Sequence, residues 1–234
     1  MIARAETIIR RARERRERAL SEHESKRVLA AYGVPTTREV LVRTATQAAA
    51  AARRLGYPVA LKACAAGESH KTEQGLVALG LGGERELRRA FAALGARAGA
   101  GYAGAYLVEE MVRGDRELMI GMVRDPQFGP CVMFGLGGVF TEILQDVVFR
   151  VAPLGRRDAL AMLRRIRAHR ILDAVRGLPA VDTAALCRSL MAVGRIGLEH
   201  PEIVAIDVNP LIVRGRTPVA VDALVVLGPA DGAR

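Results

Sequence analysis

The chain is poor in the residues that mark several common protein classes. It has no tryptophan, three cysteines and only three lysines among 35 basic residues, the other 32 being arginine. Cys64, Cys131 and Cys187 are odd in number and show no CxxC spacing. That pattern fits a reducing cytosol and no structural zinc, and each thiol reads most simply as a small buried hydrophobe. No long apolar run exists either: the longest uncharged apolar stretch, Phe128 to Thr141, carries Pro130 and four glycines. It falls short of the roughly 20 residues a bilayer span needs. The N-terminus mixes Glu6, Glu14 and Glu17 with its arginines and lacks an apolar core, so it does not read as a secretory signal.

What is present is a 234-residue chain, half hydrophobic, with a net charge of +10. At this length one large domain or two lobes can bury a core without disulfides. The charge invites a nucleic-acid reading. However, residues 1–27 hold nine basic and five acidic residues, a net of +4 that leaves +6 on the remainder, and no aromatic stacking residues accompany them. A solvated arginine helix or a leader to the domain is the simpler reading. The three lysines, Lys26, Lys62 and Lys71, are the better clue, because a compact ammonium does what a guanidinium does not.

Periodicity predicts a helix over residues 2–20, then a second helix opened by the capping box Ser21-Glu22-His23-Glu24 and stopped at Gly33-Val34-Pro35. Strands are expected at 39–42, 58–64, 76–81, 105–112, 117–123, 130–135, 142–151, 203–208 and 219–227. Further helices are expected over 44–56, 84–97, 156–168 and 183–198. The mixed order of helices and antiparallel hairpins indicates α+β in two lobes. The boundaries read as a helical leader (1–20), an N-terminal lobe (21–104), a C-terminal lobe (105–228) and a tail (229–234), with the glycines at 99, 101 and 104 marking the lobe boundary.

Two constellations carry chemistry. In the first, two apolar strands around Arg214-Gly215-Arg216-Thr217 embed Asp207, Asn209 and Asp222. A hairpin centred between Gly215 and Arg216 puts Asn209 directly opposite Asp222, with Cβ atoms about 4.5–5.5 Å apart, and Asp207 on the same face as Asn209. Amide and carboxylate oxygens converging there suit Mg²⁺. The same residues also read as a turn-forming Asn-Pro and solvated aspartates. In the second, Lys62 lies inside the apolar run Val59–Cys64, and the loop Gly67-Glu-Ser-His70-Lys71-Thr-Glu-Gln-Gly75 follows it. Small residues and lysines together suit phosphate, although neither GxxxxGK[ST] nor GxGxxG is present. A lysine snorkelling from a strand end beside an ordinary polar loop fits equally well. His70, beside Lys71, could act as a nucleophile towards a phosphoryl group or simply be a structural histidine. Val108-Glu109-Glu110-Met111-Val112, Glu117, and the glycine-rich Phe134–Gly138 near Glu142, Asp146 and Arg150 are weaker signals.

In order along the chain, Ser21-Glu-His-Glu-Ser-Lys26, Ala31-Tyr-Gly-Val-Pro35, Val59-Ala-Leu-Lys62, His70-Lys71, Glu109-Glu-Met-Val112, Arg124-Asp-Pro-Gln-Phe-Gly-Pro130, Phe134-Gly-Leu-Gly-Gly138 and Asp207-Val-Asn-Pro-Leu211 form one set. That set resembles the ATP-grasp domain of the NDP-forming acyl-CoA synthetases: the β subunit of ADP-forming acetyl-CoA synthetase and its succinyl-CoA synthetase relative. The resemblance covers nearly the whole chain. It implies a two-lobed ATP-grasp fold with ATP or ADP held between lobes. Lys62 and Lys71 would lie at the phosphates, Glu109 and the Met111–Val112 backbone at adenine, Glu117 at ribose, and Asn209, Asp222 and Asp207 at Mg²⁺. His70 would accept a phosphoryl group from the α subunit and pass it to ADP. The implied reaction is acyl-CoA + ADP + Pi ⇌ carboxylic acid + CoA + ATP, in the cytoplasm and with a CoA-binding α subunit as partner in a hetero-oligomer. The loop departs from the family pattern, with Thr72-Glu73-Gln74-Gly75 where an acid and two glycines are usual. Two other classes stay open at this point: a non-catalytic ATP-grasp module that binds nucleotide and regulates a partner, and a basic nucleic-acid-binding protein, which the charge distribution disfavours.

Overall fold

The computed structural model describes residues 2–66, 75–99, 102, 104–138 and 146–229. The chain divides into two compact units, one of Ser21–His23 with Thr37–Val112, the other of Met1–Leu20, Glu24–Thr36 and Arg113–Arg234.

The smaller unit is a four-stranded antiparallel sheet in the order β1-β4-β2-β3, formed by β1 (Glu39–Val42), β2 (Val59–Cys64), β3 (Val77–Leu81) and β4 (Ala105–Glu110). The helix of residues Ala45–Leu55, here α3, starts where the Thr44 side chain accepts from Gln47 N–H and ends where Gly56, at φ 89°, returns its N–H to Ala52. Its alanines 48, 49, 51 and 52 pack with Leu87 and Leu94 of α4 (Glu84–Ala98) against Val59, Leu61, Tyr106 and Val108. Because strand residues alternate faces, Ala60, Lys62, Leu107 and Glu109 occupy the opposite side of this sheet from those helices.

The larger unit has a six-stranded antiparallel sheet, β10-β8-β5-β6-β7, with β9 paired to β8. Its strands are β5 (Glu117–Asp125), β6 (Gly129–Leu136), β7 (Val147–Val151), β8 (Ile203–Arg214), β9 (Thr217–Ala220) and β10 (Leu224–Leu227). Two helices, α5 (Arg156–Arg165) and α6 (Thr183–Glu199), with a 3₁₀ turn at His169–Leu172, contribute to one core with Leu118, Ile120, Met122, Val132 and Phe134. Arg116, almost fully buried, gathers the connecting loop by donating to the carbonyls of Ile171, Asp173, Pro179 and Gly215. A buried guanidinium is thereby satisfied, among the described residues, by backbone oxygens.

The α+β class and the antiparallel sheets are as expected, but two boundaries are not. β4 lies between β1 and β2 in the first sheet, so the units divide after Val112 rather than after residue 104. Glycine clustering marked a loop, and long-range strand pairing decides which sheet the next strand joins. Residues 1–20 are not a separate leader. The first helix, α1 (Ile2–Glu14), places Ala5, Ile8, Ile9 and Ala12 on one buried stripe of the larger unit's core. It stops at Glu14 rather than running to residue 20. Residues 18–20 then lie beside β10, with Leu227 N–H donating to Arg18 O and Leu20 N–H to Val225 O. The second helix, α2 (Glu22–Ala31), ends as expected at Gly33, whose φ is 87°.

Candidate functional site

Within the larger unit, the β8–β9 hairpin has the expected register. Arg214 pairs Thr217, and the pairing runs through Leu211–Ala220, with Val221 N–H on Pro210 O. β10 continues the same register with Leu224 opposite Asp207. The single strand expected over 219–227 is broken at residues 221–223, and Asp222 lies in that break, between the pairs Leu211–Ala220 and Asp207–Leu224 that flank Asn209. A break frees a carboxylate from strand geometry and lets it turn towards its neighbours. Asp222 Oδ1 accepts the N–H of Ala223 at 2.8 Å. Ser25 Oγ accepts from Val225 N–H and Lys26, buried in α2, donates to Val221 O at 3.3 Å, so the segment carrying Asp222 is pinned on both sides.

Asp207 keeps an exposed side, yet its carboxyl is pushed up to about 6, first by the protein packed around it and then by the charge of Asp222. Two crowded carboxylates and the Asn209 amide oxygen form an all-oxygen donor set whose mutual repulsion a divalent cation relieves. These residues fit Mg²⁺. Asn209 Oδ1 also lies 3.5 Å from the N–H of Gly138, at the outer limit of a hydrogen bond. Gly138 has φ 63°, and a Cβ there would run into the exposed Glu117 carboxylate. Gly137 N–H meanwhile donates to Glu117 O at 2.8 Å. Glu117 at the start of β5, Gly137–Gly138 just past the end of β6, and Asn209 in the middle of β8 are thus linked, while Asp207, also in β8, and Asp222, between β9 and β10, are close enough for their charges to interact.

In the smaller unit, Lys62 is almost fully buried within β2. Its Nζ lies 2.8 Å from Glu22 Oε1 and 2.7 Å from Glu109 Oε2. Glu39 stands directly across the sheet from Glu109, and His23 Nδ1 lies 2.7 Å from Glu39 Oε1. Oxygens of Glu22, Glu39 and Glu109 fall within 4.8 Å of one another. Like charges opposite one another in a sheet are destabilising, and the Lys62 ammonium offsets them. The two neighbouring glutamates of β4 part company: Glu109 faces Lys62, while Glu110 binds Arg38 through both the Arg38 N–H and its guanidinium. Met111 N–H donates to Pro58 O at 3.3 Å, and Val112 is buried. His70 and Lys71 lie outside the described residues.

The sequence did not single out Glu22, His23 or Glu39. Ser21–Glu24 read as a helix cap, and only the pairing of β1 with β4 reveals that Glu39 opposes Glu109.

The sequence profile described as an ATP-grasp domain matches residues 11–227. The chain is 40% identical over 230 residues to the acetate–CoA ligase (ADP-forming) I β subunit of Pyrococcus furiosus, covering 97% of this chain and 99% of that one. It is also similar to the dinucleotide-forming acetyl-coenzyme A synthetase 1 of Candidatus Korarchaeum cryptofilum, solved in complex with coenzyme A and Ca-AMPCP. The TM-score is 0.91 and identity 38%, with 96% of this chain and 100% of that chain covered. A second structure of that synthetase contains coenzyme A and Mg-AMPPCP, with a phosphohistidine segment pointing towards the nucleotide-binding site (TM-score 0.84, 38% identity, the same coverage).

Proposed function

Since the chain belongs to the ATP-grasp family, among the β subunits of ADP-forming acid–CoA ligases, we propose that it is the nucleotide-handling subunit of such a ligase, working with a CoA-binding α subunit. The observation that carries this reading is the near-complete, two-way coverage of a stand-alone β subunit at 40% identity. The polar groups on both sheets support it: each motif of the family resemblance that falls on described residues belongs to a strand, a strand end or the helix beside one.

Lys62 meets nucleotide phosphates as a point charge. Glu109, Met111 and Val112 serve adenine, and Glu117 the ribose. Asn209, Asp207 and Asp222 hold Mg²⁺, which supplies charge neutralisation for the phosphates. His70 takes the transferred group: an imidazole nitrogen forms the N–P bond as the bond from phosphorus to the α subunit's phosphohistidine breaks. An oxygen of ADP then displaces the imidazole to give ATP. Lys71 stands beside the transferred charge. The net reaction is acyl-CoA + ADP + Pi ⇌ carboxylic acid + CoA + ATP. The ADP analogue AMPCP, the ATP analogue AMPPCP and coenzyme A in structures of the Korarchaeum synthetase are consistent with these ligands.

The test is reconstitution. The chain is mixed with a CoA-binding α subunit, and ATP formation from acetyl-CoA, ADP and phosphate is followed. Activity needs both chains, and His70→Asn abolishes it while ATP binding persists. Wild-type turnover in His70→Asn would refute the role of His70, and a reconstituted pair that binds nucleotide without turnover would favour a regulatory module.

A further inference from the structure

We propose that Glu22 is a positioning residue for Lys62 and an internal competitor of nucleotide phosphate for its ammonium. The inference rests on the reading of Lys62 as a phosphate contact. Glu22 is the first residue of α2 and groups with the smaller unit. Its carboxylate, 1% exposed, reaches Lys62 Nζ at 2.8 Å on the sheet face away from α3 and α4. It lies in the first turn of a helix, where the backbone dipole favours an acidic residue, and it reaches an ammonium at hydrogen-bond distance.

Glu109 approaches the same ammonium at 2.7 Å from within the sheet, with Glu39 directly opposite Glu109. Two carboxylates thus share one ammonium, and oxygens of Glu39 lie within 4.8 Å of theirs. Such a lysine is fixed in place, but it attracts a phosphate poorly until a carboxylate gives way. Glu22 is the member at a helix start rather than in a strand ladder, so it is the one able to withdraw. Its two effects therefore oppose each other: it orients the ammonium and weakens its pull on phosphate.

Glu22→Gln keeps an oxygen that accepts from Lys62 and removes one negative charge. ATP, ADP and adenosine are titrated by calorimetry, with Mg²⁺ present, into the wild type, Glu22→Gln, Lys62→Gln and the double variant. Glu22→Gln is expected to bind ATP and ADP about tenfold more tightly, about 1.4 kcal/mol, with adenosine unchanged. That gain is expected to vanish in the Lys62→Gln background, as it must if Glu22 acts through Lys62. A residue needed only for folding would shift adenosine and ATP together. The inference is overturned if Glu22→Gln leaves ATP binding unchanged or weaker, shifts adenosine equally, or keeps its effect without Lys62. If Lys62→Gln itself binds ATP as the wild type does, the phosphate role of Lys62 falls and this inference with it. If Lys62→Gln weakens ATP but Glu22→Gln does not tighten it, only this inference falls. Circular dichroism checks the fold of each variant. Should Lys62→Gln not fold, the contrast between ATP and adenosine in Glu22→Gln alone decides.

Discussion

Replacing Lys62 with methionine keeps most of the side-chain volume and removes the charge. In the wild type, the side chains of Lys62, Glu22 and Glu109 are 5%, 1% and 1% exposed, so water cannot take over the lost counter-charge. Breaking a buried pair by removing one partner typically costs about 3–5 kcal/mol. For a chain of this size each kcal/mol lowers the melting temperature by about 2–4 °C, so the variant should melt roughly 6–20 °C below the wild type. The deficit should depend on pH. Without the ammonium, two buried carboxylates lose their counter-charge, and burial disfavours the charged form of a group. The penalty is therefore smallest at acid pH and grows as the pH rises. Thermal melts from pH 4.5 to 8 measure this, with Arg10→Ala as the control. Arg10 pairs with Glu14 at 4.0 Å on an open surface, with 70% and 65% exposure, and its loss should cost less than about 1 kcal/mol. A Lys62→Met variant within about 1 kcal/mol of the wild type, or one with the same deficit at every pH, would refute the assignment of the trio as a buried, charge-coupled group.

Three further outcomes are expected. The carboxyl of Asp207 is raised from 3.8 to about 6, so its contribution to stability is full below about pH 4 and lost as pH rises through 6. Asp207→Asn should flatten that part of the pH–stability curve, and Mg²⁺ should stabilise the wild type more at pH 7.5 than at pH 5, as chemical denaturation will report. Gly138→Ala adds a Cβ against Glu117 at φ 63° and should weaken Mg-ATP binding by at least tenfold in calorimetry while the protein stays folded. Ile9→Ala should cost about 2–5 kcal/mol in urea unfolding, because Ile9 is fully buried in the larger core; no change would mean that α1 is a dispensable leader.

The sequence made legible what local chemistry determines. Gly215 and the alternation of β8 and β9 were enough to set the hairpin register, in which Arg214 pairs Thr217 and Leu211 pairs Ala220. Thr44 and Gly56 likewise bounded α3. What stayed hidden depends on partners distant in sequence. β4 pairs with β1 and β2, 64 or more positions earlier in the register for β1, so no local signal fixed its sheet or the unit boundary. The arginines of α1 concealed an apolar stripe of four residues that becomes meaningful only against the larger core. Glu22 lies 40 residues from Lys62, and its sequence context as a cap residue gave no hint of an ion pair. The break at residues 221–223 was likewise unreadable, since Val219–Leu227 has the composition of one continuous strand.

The central claim is that this chain carries a phosphoryl group on His70 on its way to or from nucleotide. The direct measurement is to incubate it with Mg²⁺ and ATP labelled in the γ-phosphate, then locate acid-labile label by mass spectrometry under alkaline conditions. The account predicts phosphate on His70, released as ATP on addition of ADP and absent from His70→Asn. Tight ATP binding with no label on His70, or label undiminished in His70→Asn, would contradict it.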